Sequence, residues 1–396
     1  MPGIQPALRR DRENENSRRH INAAGCIKPM KIEIAQLESA LQYLVDDLLP
    51  GAQIEGLTPL SETRPDQAEG TAKYLGYGQS LRVTLRTKEG EERCLVFRTS
   101  RSDDFGHDRR ADRAGNALLA FDTFSSIPQH VPALDVGAIG SDGRLHSLRG
   151  SGEFFLLTDY ADGSPYADDL WTIGRQNTLT SRDFLRCDSL ADYLVRLHAD
   201  KIAHPGAYRR AIRDLIGHGE GIFGLIDSYP DNVPAAPSGR LQAIEKLCLD
   251  WRFRLRGREN RLSRTHGDFH PFNILFDEND RLAVLDASRG CLGDPADDMT
   301  CLSINYVFFA LEHSGSWQKV FSELWHRLWN RYLGATSDHE ILTVAPPYLA
   351  WRALVLANPL WYPKVRCETR EALLGLVERS LRKGRFDLED GDGLFS

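Results

Sequence analysis

The spacing of hydrophobic positions in the first third of the chain predicts a small antiparallel sheet with helices beside it. From Ile32 to Leu49 apolar residues recur at helical spacing, and a Pro-Gly pair follows as a stop. Two β-rich runs, Leu81 to Thr87 and Arg93 to Thr99, are separated by a polar turn that contains glycine, which is typical of a hairpin. From Ala111 to Phe124 the pattern is helical again.

A change of pattern near residue 160 predicts the boundary between two lobes. Residues Glu153 to Thr158 are mostly apolar and indicate a buried strand, and Asp159 to Pro165 follows as a polar linker. Beyond the linker the pattern is mainly helical, as in Ser189 to His198 and Leu241 to Arg256. A sheet lobe should therefore be followed by a helical lobe.

Length and composition agree with this organisation and exclude several function classes. The 396 residues exceed the comfortable size of one hydrophobic core, so two lobes are expected, at about 31–160 and 161–396. No apolar run reaches membrane-spanning length. The net charge of -7 argues against nucleic acid as a partner and weakly favours a cationic small molecule. The seven cysteines have neither zinc-site nor disulfide spacing, which predicts reduced thiols in a cytoplasmic protein.

Residues 1–30 are predicted to be a disordered tail. They are rich in charge, poor in apolar residues, and lack the apolar segment of a secretory signal. The patterned part begins at Met30, so a later start is an alternative to a flexible tail. The oligomeric state stays open.

The densest chemical signal lies around a second, short hairpin. The sequence reads His266-Gly267-Asp268-Phe269-His270-Pro271-Phe272-Asn273, then two β-like runs, 273–276 and 282–285, and then Asp286. A loop aspartate, an amide at the start of a strand and an aspartate after the returning strand would converge at one end of the hairpin. Such a cluster suits phosphoryl transfer.

These residue types fit a magnesium nucleotide. Mg²⁺ prefers hard oxygen ligands, which Asn273 and Asp286 provide while water and phosphate complete its coordination. Asp268 would orient and deprotonate an acceptor hydroxyl as the general base. Alone, His-Gly-Asp would be a turn with a helix-capping aspartate, but the accompanying amide and carboxylate favour catalysis. His266 and Asp298 are interpreted as structural supports of the loop.

The motif His-Gly-Asp-x-x-x-x-Asn, with an aspartate after a hairpin, resembles the signature of the aminoglycoside phosphotransferase and choline kinase-like family. The helix ending at His198 resembles the Leu-His helix that this family carries upstream, and Gly293-Asp294-Pro295 resembles its Gly-Asp-Pro stretch downstream. The resemblance implies a bilobal, α+β, protein kinase-like fold with a small antiparallel β-sheet lobe and a larger, mainly helical lobe. ATP and Mg²⁺ would sit in the cleft between the lobes.

The resemblance also implies where the nucleotide binds. The backbone of Asp159, Tyr160 and Ala161 would pair with adenine as a hinge. Two glycine segments are candidates to cover the phosphates, residues 70–73 and residues 76–80. The second segment, which contains Gly76 and Gly78, is preferred.

One position departs from the family pattern. Where the family places a phosphate-binding lysine, this chain has Arg98, whose guanidinium is longer and forked. The family places an acidic partner for that lysine on the following helix, and the choice between Asp112 and the neutral Asn116 for this position stays open.

The expected function is transfer of the γ-phosphate of ATP to a hydroxyl of a small molecule. From Asp286 the chain reaches Gly293-Asp294-Pro295 within about a dozen residues, which leaves no room for the long activation segment on which a protein substrate lies. Aminoglycoside, choline-like amine, sugar and hydroxy amino acid all remain open as acceptors. The alternative, suggested by Arg98, is a catalytically silent nucleotide-binding pseudokinase scaffold of the same fold.

Tryptophans are concentrated in the C-terminal helical region. Two roles stay open for five of them: packing in the helical core, or lining a pocket for a cationic substrate. These five are Trp317, Trp325, Trp329, Trp351 and Trp361.

Overall fold

The computed structural model describes residues 34–60, 78–287 and 289–396. The predicted tail at residues 1–30 and the glycine candidates at 70–73 and Gly76 lie outside these ranges. Contacts between residues group the chain into two compact units that meet in sequence between Thr158 and Asp159.

The first unit combines a three-stranded antiparallel sheet with helices. Its elements are, in chain order, α1 (Ile34–Leu48), β1 (Gln53–Pro59), β2 (Gly78–Arg86), β3 (Glu92–Ser100), α2 (Arg110–Thr123), a 3-10 turn (Phe124–Ser126), β4 (Gly137–Ile139) and β5 (Leu145–Ser147). The strand order β1-β2-β3 makes β2 the central strand. β4 and β5 form a separate two-stranded hairpin.

Helix α1 packs on one face of the sheet. Its buried residues Leu37, Leu41 and Val45 recur every four positions, so they form one stripe along the helix. This stripe meets the inward side chains of β2, Val83 and Leu85, in a small core. The predicted hairpin between the two β-rich runs is present as β2 and β3, with Gly78 paired to Ser100 and Arg86 paired to Glu92.

One strand prediction in this unit was wrong. Residues 153–158 form no strand, and the side chains of Phe155, Leu156 and Leu157 are 92%, 88% and 88% exposed. An apolar run becomes a strand only where another backbone supplies the ladder of hydrogen bonds. Here none of the described strands pairs with this segment.

The second unit is mainly helical. Its elements are β6 (Ser164–Pro165), α3 (Tyr166–Gln176), α4 (Ser181–Leu197), α5 (Pro205–Gly217), α6 (Ile222–Asp227), α7 (Ser238–Leu255), β7 (Ser263–Arg264), β8 (Ile274–Phe276), β9 (Leu282–Val284), β10 (Leu292–Gly293), α8 (Ala296–Glu312), a π-helical turn (Trp317–Phe321), α9 (Ser322–Thr336), α10 (Ile341–Val344), α11 (Pro346–Ala357), α12 (Cys367–Lys383) and α13 (Glu389–Asp392). Short strands pair as β6-β8-β9 and as β7-β10.

Helix α8 lies inside the core of this unit. Every residue from Ala296 to Ala310 is buried, so the helix lacks the polar face of a surface helix. Around it pack the indole rings of Trp317, Trp325 and Trp329, all of them buried. These three tryptophans therefore belong to the core.

The mixed α+β class predicted from the sequence is confirmed by these elements. None of the described helices combines the length and the apolar character needed to span a bilayer.

Candidate functional site

The hairpin β8–β9 brings the two proposed metal ligands to one end. The ladder pairs Ile274 with Val284, and the N–H of Leu285 donates to the carbonyl of Asn273 at 2.9 Å. Asp286, the next residue, therefore leaves the ladder beside Asn273. It is exposed, and its φ of 53° lies in the left-handed region that aspartate tolerates better than most residues. Within the described ranges its carboxylate has no hydrogen-bond or ion-pair partner.

Asp268 is bound directly to Asn273. The Nδ2 of Asn273 donates to the main-chain carbonyl of Asp268 at 3.1 Å and to its Oδ2 at 3.2 Å. Because the amide nitrogen faces Asp268, Oδ1 of Asn273 is left for another partner. Two of the three predicted residues thus contact each other, and the ladder places the third next to Asn273.

A buried arginine that the sequence analysis missed holds Asp268 from the other side. Nη1 of Arg352, on α11, donates to Oδ1 of Asp268 at 2.6 Å. Its Nη2 donates to the carbonyl of Gly267 at 2.6 Å and to Oδ1 of Asp297 at 2.9 Å. The one available signal was a single charge in the apolar run of α11, since a buried arginine needs carboxylate partners.

These contacts keep Asp268 ionised. Burial alone would favour the protonated form, but the hydrogen bond from His270 and the charge of Arg352 outweigh it and hold the pKa of Asp268 well below its ordinary value. Nε2 of His270 lies 3.4 Å from Oδ2. The carboxylate can therefore accept hydrogen bonds throughout the neutral pH range.

The loop that carries Asp268 is fixed by a fully buried carboxylate. Asp298, in the first turn of α8, accepts hydrogen bonds from the main-chain N–H groups of His266 and Gly267, both at 2.8 Å. Nε2 of His198, at the end of α4, lies 3.1 Å from the same carboxylate. Burial opposes the charge, yet these bonds and the imidazole lower the pKa of Asp298 below its ordinary value.

His266 is buried within this loop. Its Nδ1 accepts a hydrogen bond from the N–H of Asp268 at 3.3 Å, and its ring packs edge-on against Phe269. Both Asp298 and His266 therefore contact the loop, and the supporting role that the sequence analysis gave them stays a prediction.

Asp268 also lines a cavity of about 380 Å³ within the second unit. Its walls come from α6, α8, α11 and the segment after α11. Trp351 and Trp361, two of the five tryptophans in the C-terminal region, line it. The volume falls in the range of small-molecule pockets, about 300–1,000 Å³.

The proposed nucleotide contacts lie elsewhere in the chain. Arg98 is exposed on β3 and has no hydrogen-bond or ion-pair partner among the described residues. Of its candidate helix partners, Asp112 accepts a hydrogen bond from the N–H of Arg109 at 2.8 Å in a capping box, and Asn116 is exposed.

The structure also describes two other segments that were predicted to contact the nucleotide. Gly78, from the preferred glycine segment at residues 76–80, is the first residue of β2, and its proposed contact with the phosphates stays a prediction. Asp159, Tyr160 and Ala161 have no regular secondary structure, and Tyr160 is 88% exposed.

The donors beside the hairpin suit Mg²⁺. An amide oxygen and a free carboxylate are hard ligands, and Mg²⁺ usually takes one or two protein carboxylates together with water and phosphate oxygens. In the ranges that the structure describes, no group of three or more His, Cys, Asp or Glu residues is arranged to hold a metal without such help.

A comparison with protein-family models identifies the chain. The model called APH, described as the phosphotransferase enzyme family, matches residues 71–334. The chain belongs to this phosphotransferase family. The match includes Arg98, Asp268, Asn273, Asp286 and Asp298, whereas Arg352 and the cavity walls after residue 334 lie beyond it. The resemblance recognised in the motif around Asp268 is confirmed.

Solved structures similar to this phosphotransferase include small-molecule kinases. A glucosamine kinase in complex with glucosamine, ADP and inorganic phosphate is 16% identical over 55% of this chain and 59% of that chain, with a TM-score of 0.37. Another glucosamine kinase structure is 13% identical over 90% and 99%, with a TM-score of 0.38. An ethanolamine kinase from Plasmodium vivax is 11% identical over 100% and 95%, with a TM-score of 0.34. No curated protein matches this sequence.

Proposed function

We propose that this phosphotransferase moves the γ-phosphate of ATP to a hydroxyl group of a small molecule bound among the C-terminal helices. The observation that carries the proposal is the position of Asp268. Its carboxylate faces a cavity of about 380 Å³ and also contacts Asn273, a proposed metal ligand. A hydroxyl in that cavity would meet a hydrogen-bond acceptor where a metal-bound phosphate is delivered.

Asp268 would act mainly by orienting the acceptor hydroxyl. A carboxylate with a strongly lowered pKa is a weak base toward a free alcohol. In a loose transition state the alcohol becomes acidic only as its bond to phosphorus forms, so the proton would reach Asp268 late. Arg352 would keep the carboxylate charged and correctly turned during this step.

Asn273 and Asp286 would hold Mg²⁺, which neutralises charge on the phosphates when it is bound. Arg98 and the glycine segment at residues 76–80 are proposed to contact the phosphates, and the backbone of Asp159 to Ala161 is proposed to contact adenine. His266 and Asp298 would keep the loop in place. A cytoplasmic location fits these substrates.

A nucleotide-binding scaffold without transfer is the second candidate. It is favoured by Arg98, which replaces the family lysine and has no partner among the described residues. The intact set of Asp268, Asn273 and Asp286 favours the enzyme.

The test is a screen of ATP consumption over a library of hydroxylated metabolites and antibiotics, followed by identification of the phosphorylated product by mass spectrometry. We expect a phosphate ester on at least one small molecule and none on protein. Tight ATP binding without transfer to any compound would favour the scaffold, and labelling of protein alone would favour a protein kinase.

A further inference from the structure

The cavity beside Asp268 has mostly apolar walls. Its lining includes Leu225 from α6, Ile304 from α8, Val355 and Leu356 from α11, and the ring of Trp361. Trp361 is 59% exposed, so it presents an aromatic surface that the fold itself leaves open. Such walls favour a ligand with substantial apolar area.

Three of the four Asp, Glu and Arg side chains that line the cavity are already paired. Two carboxylates, Asp268 and Glu220, and two guanidinium groups, Arg289 and Arg352, line it. Arg352 donates to Asp268 at 2.6 Å. Arg289 donates to Asp297 at 2.6 Å, a carboxylate that Arg352 also contacts. Glu220 alone among these carboxylates has no ion-pair partner in the described part of the chain, and it is exposed.

This balance disfavours a positively charged acceptor. An ammonium group near Asp268 would have to share that carboxylate with Arg352 and would meet like charges from two guanidinium groups. A polycationic acceptor would need several unpaired carboxylates, and the lining offers one at most. Each arginine also has one buried nitrogen without a hydrogen-bond partner among the described residues: Nη1 of Arg289 and Nε of Arg352. These nitrogens can donate to an oxygen of the ligand, but they cannot accept a hydrogen bond from an ammonium group.

We infer that the acceptor is a neutral, predominantly apolar hydroxylated compound with ether, carbonyl or hydroxyl oxygens, and not an amine or a polyamine. The inference rests on the proposed phosphoryl transfer, because it assigns the cavity to the acceptor. It also reverses the weak preference for a cationic substrate that the net charge of -7 suggested. The charge of a whole chain does not report the charge of one buried pocket.

Matched pairs of acceptors test the inference. We would compare phenyl glucoside with its 2-amino-2-deoxy analogue, and add kanamycin as a polycation. The readouts are product formation by mass spectrometry and binding by tryptophan fluorescence, since Trp351 and Trp361 line the cavity. We expect the neutral glucoside to have kcat/KM at least about tenfold above that of its amine twin. A preference for the amine or for kanamycin would overturn the inference.

Two variants at neighbouring positions test whether the acceptor binds in this cavity. Trp361→Ala should raise KM for the neutral acceptor about five- to tenfold and leave KM for ATP unchanged, because it removes an aromatic wall. Leu360→Ala is the control, since Leu360 is 58% exposed but does not line the cavity. Equal KM values for the neutral acceptor in the two variants would show that the acceptor binds elsewhere.

The two proposals fail in different ways. Quenching of fluorescence by the neutral compound, with no phosphorylated product from any compound, would refute transfer and support the acceptor class. Product from amines alone would support transfer and refute the acceptor class.

Discussion

At the residue scale, the pairing with Arg352 holds the carboxylate of Asp268 in place and helps to keep it ionised. The arginine is almost fully buried and contacts Asp268, Asp297 and the carbonyl of Gly267. Removing one partner of such a network leaves a buried charge without compensation, which costs about 3–5 kcal/mol in comparable cases. Arg352 is therefore expected to affect both stability and turnover.

Replacing Arg352 by methionine should change the pH dependence of turnover. The pKa of Asp268 is held low in part by the arginine, so its loss lets the carboxylate protonate at a higher pH. In the wild type kcat should not respond to this group above about pH 4, the ordinary aspartate range, whereas in Arg352→Met it should fall at the acid end of the profile. The check is kcat measured from pH 5 to 8. Parallel profiles would contradict the role given to the arginine.

Arg98 should contribute to nucleotide binding. Arg98→Ala is expected to raise KM for ATP about tenfold, because a guanidinium bound to phosphate is worth about 1.5–3 kcal/mol. Arg98→Lys reports whether the site is built around the forked group: a sharp loss would mean that it is, and improved activity would mean that arginine is a handicap. Arg82→Ala is the matched control, since Arg82 is already bound to Cys94 and Glu92. Equal KM values in the two alanine variants would remove Arg98 from the site.

The sequence predicted some of these residues better than others. Asp268, Asn273 and Asp286 follow each other at motif spacing, so local sequence was enough to nominate them. Arg352 lies on a helix 84 positions beyond Asp268, and only the packing of α11 brings it there. No local pattern encodes that contact.

At the element scale, the first turn of α8 fixes the loop after β7. Asp298 accepts two main-chain N–H groups of that loop and also contacts His198 at the end of α4. Three separate elements are therefore joined through one carboxylate. Both α4 and α8 therefore help to position Asp268, although Asp268 lies on neither helix.

Asp298→Asn should destabilise the second unit by about 1–3 kcal/mol, because an amide cannot accept hydrogen bonds on both of its atoms. The pKa of Asp298 is lowered, so its stabilising contribution is present above the ordinary carboxylate pKa and is lost as pH falls through the lowered value. The difference in the free energy of unfolding between the variant and the wild type should therefore become smaller at acid pH. Urea unfolding at pH 7 and at low pH measures it.

Asp192→Asn is the control for this prediction. Asp192 also lies on α4 but forms an exposed ion pair with Arg331, so its replacement should cost less than about 1 kcal/mol. Similar losses in the two variants would contradict the bracing role of Asp298.

Elements differed in how far the sequence could predict them. The hairpins β2–β3 and β8–β9 were predictable because turn residues and alternating apolar positions lie within a few residues of each other. The apolar run at 153–158 carries the same local signal, yet its pairing depends on a distant backbone. Local pattern therefore indicated a strand where the structure has none.

At the scale of the whole molecule, the two units have separate hydrophobic cores. The buried residues of the first core run from Leu37 to Leu85, and those of the second from Tyr166 to Phe386. No described residue belongs to both. The proposed catalytic loop, its brace and the cavity all lie in the second unit.

The second unit should consequently fold when residues 159–396 are produced alone. All seven tryptophans lie in this range, so their fluorescence reports its packing specifically. We expect a native-like emission maximum and a cooperative urea transition for the fragment. A fragment that shows red-shifted emission and no transition would mean that its core depends on the first unit.

The central claim is that Asp268 directs phosphoryl transfer, and the most direct measurement is product formation by Asp268→Asn with the acceptor that the screen identifies. We predict that kcat falls by about 10²–10⁴-fold while the Kd for ATP stays within a few-fold of wild type. Glu278→Gln, which alters an exposed turn carboxylate of the same hairpin, should leave both values unchanged. Near-normal turnover by a folded Asp268→Asn protein would contradict the account.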